Sequence, residues 1–336
     1  MNITQFIKYL NKTKKWGIQS QYYSYIDEWR QWWAGYHPSF HRINECGLDG
    51  THHARTMYRL GMPKRACEDW AALLLNDKTT VTVTDKNTAS WLLGVDAQQT
   101  GGILKSIEFW SNANTLVELA FRSGTGAFVL SLENLVVKDG MAVLSPDAKI
   151  CLDYDPAECI LPITIRHGRI VDVAFASEVT VGGKSCIYLQ THRLVLRDGR
   201  QQYQITNEYF TSENEDTENA DYKPAPLPAG VLKSFTTGSS VPWFSVFSPN
   251  IVKNLPGGPG LGMSVFSEAL DQSKHCDLAF DNYCRDLYLG GKKVFYNKDM
   301  FKTVIDAEGK EHRFAPDDIR QQLFVSPGGF DPDAAP

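Results

Sequence analysis

No apolar run in this 336-residue chain approaches 18 residues, so nothing in it reads as a membrane-spanning helix. No CxxC pair occurs among the seven cysteines, which are odd in number and scattered. A zinc ribbon and a disulfide framework are therefore not expected, and reduced thiols are. An excess of basic charge is missing too. Lys and Arg number 34 against 39 Asp and Glu, giving a net charge of −5 that argues against nonspecific coating of nucleic acid. The opening stretch, MNITQFIKYLNKTKKWG, lacks the apolar core and small-residue cleavage site of a signal peptide. GxSxG and Cys–His signatures are absent as well. The expectation is a protein that is not an enzyme and that takes no cofactor and no metal.

What the chain has is ordinary globular composition, 43% apolar and 22% charged, enough for two or three packed units. Four of its eight tryptophans lie in the first 33 residues. Trp29, Trp32 and Tyr36 fall at i, i+3 and i+7, with Trp33 beside them, which predicts a helical face packed on a core. A stacking platform for single-stranded nucleic acid would want interleaved Arg and Lys, and only Arg30 is there. A second helix is expected after Pro63, with Ala66, Trp70, Leu73 and Leu74 as its apolar stripe. Val81 and Val83 predict a short strand, and a further helix is expected over 103–122, stopped by Gly124.

From about 126 to 210 the period changes to two. Segments near 127–131, 141–145, 158–166, 169–179, 184–195 and 200–210 are rich in Val, Ile, Thr, Tyr and Phe. Gly168, Gly182-Gly183 and Asp198-Gly199 punctuate the last four as hairpin turns, which predicts a sequential antiparallel meander. The acidic run at 212–222 reads as a solvated loop. A long helix is expected over 264–289, with Ser264 as N-cap and Gly290-Gly291 as its stop. After it come a strand at 292–296, a hairpin turning at Glu308-Gly309, a short helix near 316–321 and a strand at 322–326. The fold class expected is α+β.

Three groups were candidates for chemistry. The GTGA at 124–127 and the glycines 258, 260 and 262 resemble phosphate cradles but lack the Lys and Ser or Thr that a P-loop needs. His37, His41, Cys46, Asp49, His52 and His53 have metal-ligand types in spacings that match no structural zinc pattern. Asp153 and Asp155 have the residue types of an acid–base pair, but Pro156 follows, and a strand-to-strand corner is expected there.

Four stretches, in order, resemble bacteriophage portal proteins of the Gram-positive-phage type. They are PKRACEDWAALLLN at 63–76, TLVELAFRSGTGAFVL at 115–130, FSVFSPN at 244–250, and the run from Pro259 to Phe295. The resemblance implies a wing over 1–245, an approach and stem helix over 246–290, and a partial clip over 291–336. It implies a twelve-fold ring of copies at one capsid vertex, with double-stranded DNA in the channel. Terminase large subunit, head-completion or adaptor proteins, and major capsid and scaffolding proteins are the implied partners, and no membrane is. The implied locations are the virion and, during assembly, the host cytoplasm. Portals of this type continue beyond the clip, so the chain looks truncated and is expected to assemble poorly by itself. The alternative is another virion or adaptor structural protein without a channel.

Within the long helix, Asp271, Lys274, Asp281 and Arg285 share a side by spacing and alternate in sign. They are the expected channel-lining residues, with Ala269, Cys276 and Tyr283 packing on neighbouring helices. An acidic wall repels phosphate and lets DNA slide. On that view Asp281→Lys leaves folding intact and slows DNA passage.

Overall fold

The computed structural model describes residues 3–46, 52–76, 78–96, 100–143, 145, 147–181, 183–212, 222–228, 230–290, 294–296, 302–305, 308–314 and 323–325. Two helices open the chain, α1 (Ile3–Lys14) and α2 (Tyr22–Trp33). Gly35, at φ +74°, turns the chain out of α2 and donates its amide to the Trp32 carbonyl. A single turn, α3 (Pro38–His41), leads to the strand pair β1 (Arg42–Cys46) and β2 (His52–Thr56). Then come α4 (Met62–Leu74), α5 (Lys86–Leu93), α6 (Ile103–Ser106) and α7 (Phe109–Ser123).

The β-rich part begins with β3 (Gly126–Glu133), β4 (Val136–Lys138), β5 (Met141–Val143) and β6 (Lys149–Pro156). The long strands follow: β7 (Ile160–Arg166), β8 (Arg169–Val181), β9 (Lys184–Arg197) and β10 (Arg200–Ser212). Shorter ones come next, β11 (Tyr222–Ala225), β12 (Ser234–Thr236) and β13 (Phe244–Phe247). The long helix is α8 (Leu270–Leu289), and the remaining strands are β14 (Val294–Tyr296), β15 (Lys302–Ile305), β16 (Glu311–Phe314) and β17 (Leu323–Val325). Helices and sheets are mixed, and the fold is α+β.

Two compact units emerge, one of Met1–Arg42 with Gly61–Ser273, the other of Ile43–Leu60 with Lys274–Pro336. In the first, an eight-stranded sheet runs in the order β4-β5-β12-β10-β9-β8-β7, with β11 also on β10. Its β7 to β10 are the expected antiparallel meander. The turns His167-Gly168 and Asp198-Gly199 each place two residues at positive φ, as tight hairpins with the right-handed strand twist require. One face carries α1 and α2: Phe6 meets Phe210 and Tyr222 edge-on, and the Tyr23 hydroxyl donates to the Ile160 carbonyl at 2.5 Å. Trp29 and Trp32 are 1% and 2% exposed and belong to the core, while Trp33 is half-buried and Tyr36, also half-buried, lies past the end of α2. Each full burial contributes about 2–3 kcal/mol. The other face meets a three-stranded sheet, β13-β3-β6, where Phe244 packs on Phe175, His192 and Tyr203.

Several expectations need correcting. Residues 78–84 form no strand, for alternating valines without a neighbouring ladder have nothing to pair with. The helix over 103–122 is two helices, broken where Glu108 takes φ +51°. Asp153 and Asp155 lie in a full strand, β6, paired with β3 from Gly126↔Pro156 to Glu133↔Lys149. Ser264 does not cap α8; it is buried and its hydroxyl donates to the Phe121 carbonyl. The long helix starts at Leu270 after a 3₁₀ turn at Ser267–Ala269. In the second unit β14 pairs in parallel with β17, whereas β15 pairs antiparallel with β16 around Gly309, the hairpin that was expected there. The acidic run at 213–221 and the helix expected near 316–321 lie outside the described residues.

Candidate functional site

The long helix α8 does not bury the face that its sequence advertises. Its apolar stripe, Cys276, Ala279, Tyr283 and Leu287, is exposed, with Tyr283 at 60% and Leu287 at 61%. Asp277 and Asp281, one turn apart, are buried instead. At 100° per residue the apolar stripe lies about a third of a turn around the helix from these carboxylates.

Two carboxylates are hidden because β2 and the segment after it satisfy them. The Arg55 guanidinium donates through Nη1 to Asp281 Oδ1 at 2.8 Å and through Nη2 to Oδ2 at 2.7 Å. This two-pronged geometry is the strong form of an Arg–carboxylate pair. The Tyr58 amide donates to the same Oδ1 at 2.9 Å, and the Leu60 amide donates to Asp277 Oδ1 at 2.8 Å. The Arg55 bonds, opposed by burial and aided by the Tyr58 amide, hold the Asp281 carboxyl below the usual carboxylate range.

The four expected channel residues are thus not alike. Asp271 is exposed, Lys274 and Arg285 are partly buried, and Asp281 is 1% exposed. The expectation of a free Asp281 is corrected: its charge is spent on Arg55 within the chain. Arg285 lies near enough to favour the ionised Asp281. Sequence spacing puts these residues on one side of the helix but carries no sign of Arg55, which is 226 positions from Asp281.

The other candidates resolve as follows. The two glycine turns pack on each other. A Cβ on Gly262 would sit 2.2 Å from the Gly124 carbonyl oxygen, and one on Gly124 would sit 2.4 Å from that of Gly262. The Gly262 amide donates to Thr125 Oγ1 at 2.9 Å, and Tyr22 Oη donates to the Gly262 carbonyl at 2.6 Å. Both turns therefore serve close backbone approach. His37 and His41 pack on Trp32, with the His37 amide donating to His41 Nδ1. His52 and His53 are exposed on β2, and Asp49 lies outside the described residues. Among the described residues, no group of three His, Cys, Asp or Glu is placed to hold a metal ion.

A polar seam that sequence reading missed runs between the two sheets of the first unit. His192 Nε2 meets Gln190 Oε1 at 2.9 Å, Gln190 Nε2 donates to Tyr188 Oη at 2.9 Å, and Tyr188 Oη donates to Asn207 Oδ1 at 2.8 Å. Asn207 Nδ2 then donates to the Leu232 carbonyl at 2.8 Å. Burial pushes His192 down to about 3, so the ring is neutral. Asp155 is pushed up to about 7 by burial and by the neighbouring Asp153, whose Oδ2 accepts from Ser131 Oγ. A cavity of about 480 Å³ opens beside the seam, lined by Tyr188, Gln190, Asn207, Phe235 and Trp243. Most of the seam's polar atoms are spent on one another, while His192 Nδ1 is buried without a hydrogen-bond partner.

No protein-family model matches the chain, and no curated protein matches its sequence.

Proposed function

We propose that the chain is a structural subunit of the phage-portal type, working by self-assembly around a DNA channel and not by catalysis. The observation that carries this reading is the exposed stripe on α8. Cys276, Ala279, Tyr283 and Leu287 repeat at helical spacing along one side of a 20-residue helix and are left in solvent by their own chain. An apolar helix stripe of this length is a surface that a neighbour covers. A head-to-tail ring supplies the neighbour, since every copy then gives one surface and receives another. The four colinear portal-like stretches support the same reading. So does the mixed α+β architecture.

In this arrangement Asp271, Lys274 and Arg285 are the channel-side candidates, while Asp281 on the same side is held by Arg55. Terminase, head-completion proteins, capsid and scaffolding proteins, and double-stranded DNA are the partners that the reading proposes. Sedimentation velocity across a concentration series tests the central contact. Reversible association is expected, and Tyr283→Lys with Leu287→Lys should abolish it. A chain that sediments as a monomer at every concentration, or association indifferent to both substitutions, would overturn the proposal.

A further inference from the structure

Residues 52–60 hold to α8 by an unusual balance of forces. Of these nine residues only Met57 is buried, while Tyr58 and Leu60 are 54% and 48% exposed. The segment hides Met57 and about half each of Tyr58 and Leu60, so hydrophobic adhesion amounts to roughly two side chains. Charge and hydrogen bonding supply the rest. Arg55 and the amides of Tyr58 and Leu60 direct four donor contacts from six consecutive residues onto Asp277 and Asp281.

We propose that Asp277 and Asp281 are an electrostatic latch, from which residues 55–60 release as a unit while α8 stays folded. The backbone hydrogen bonds of α8 are internal to the helix and do not depend on the strap. The strap's bonds to it rest on two carboxylates, one of them paired with a guanidinium. Opening turns two buried negative charges to the surface. On the portal reading, which this inference does not require, each copy in a ring would then present two further acids.

The groups that face Asp281 set the direction of its pH response. They are Arg55 and the Tyr58 amide from the strap, with Arg285 and Asp277 on the adjoining turns of α8; His52 and His53 sit exposed at the start of β2. A carboxyl held below its ordinary range keeps its full contribution at neutral pH. That contribution disappears as pH falls through and below the ordinary carboxylate range.

Amide hydrogen exchange on the full chain reads the latch directly, because the Tyr58 and Leu60 amides are themselves two of the donors. In the wild-type chain both should exchange faster than the central amides of α8. Asp281→Asn should speed Tyr58 about tenfold or more, and Asp277→Asn should do the same for Leu60, with α8 unchanged. Arg55→Lys, which keeps the charge and loses the fork, should fall between wild type and Asp281→Asn. Acidification of the wild type should raise strap opening beyond the change in intrinsic exchange. This series and Asp277→Asn decide the matter should Asp281→Asn fail to fold. Strap amides that exchange together with α8 at every pH, or that are indifferent to both Asn substitutions, would overturn the latch. Failure of the portal reading would show in particle mass instead, so the two outcomes are separable.

Discussion

Asp281 takes three hydrogen bonds on one carboxylate with 1% of its side chain exposed, so replacing it tests the energetics of a buried charge. A solvated helix position tolerates Asp→Lys within about 0.5 kcal/mol. Here Asp281→Lys sets a second cation against Arg55, and a loss of about 3 kcal/mol is expected, as for breaking a buried pair. Urea unfolding of the two chains measures it. Asp155 behaves in the opposite sense. Its pKa is raised on folding to about 7, so the native chain keeps a proton that the unfolded chain has already released. Stability is then complete below the unfolded carboxylate value and declines as pH rises toward 7. Asp155→Asn should raise the melting temperature at about pH 8 and make little difference near pH 4. Equal shifts at both pH values would mean that Asp155 ionises freely in the folded chain. Neither behaviour is visible in the local sequence. Asp281 looks like any helix-surface acid until Arg55 is brought to it, and Asp155 looks like a corner residue until β3 pairs with β6.

At the scale of the element, α4 and α8 teach the same lesson. Both were expected as helices from their apolar spacing, and both are helices. In each, however, the apolar stripe read from the sequence is left outside by the chain itself. Leu73 and Leu74 are 71% and 52% exposed, and the buried positions of α4 are Pro63, Cys67 and Ala71. Periodicity reports that a helix has an apolar side; which side is covered depends on what the rest of the chain brings to it. The hairpins were legible because glycine and aspartate at positive φ act locally. The glycine turns at 124 and 262 were legible as glycines but not as partners. Gly262→Ala should cost far more than Gly199→Ala, although Gly199 sits at φ +74°. At Gly199 a methyl group meets nothing within 4 Å, and the cost is about 1 kcal/mol of backbone strain. At Gly262 it meets a carbonyl, so the turns must separate. Thermal melts of the two variants compare them, and equal losses would remove the close approach as the reason for glycine.

For the whole molecule, the α+β class and the four-strand meander could be read from the sequence because each rests on contacts between chain neighbours. The two compact units could not. Ile43–Leu60 joins Lys274–Pro336 across more than two hundred residues, and the polar contacts described there have no sequence period. The same holds for function. Nothing in the local sequence shows that the α8 stripe is left exposed, and on the proposed reading that exposure is what suits it to assembly. The most direct measurement is native mass spectrometry with negative-stain imaging of the chain across a concentration series. Weak, concentration-dependent association is predicted, with open-centred particles at the highest concentrations, and both are lost on Tyr283→Lys with Leu287→Lys. Monomers throughout, or rings that survive those two substitutions, would contradict it.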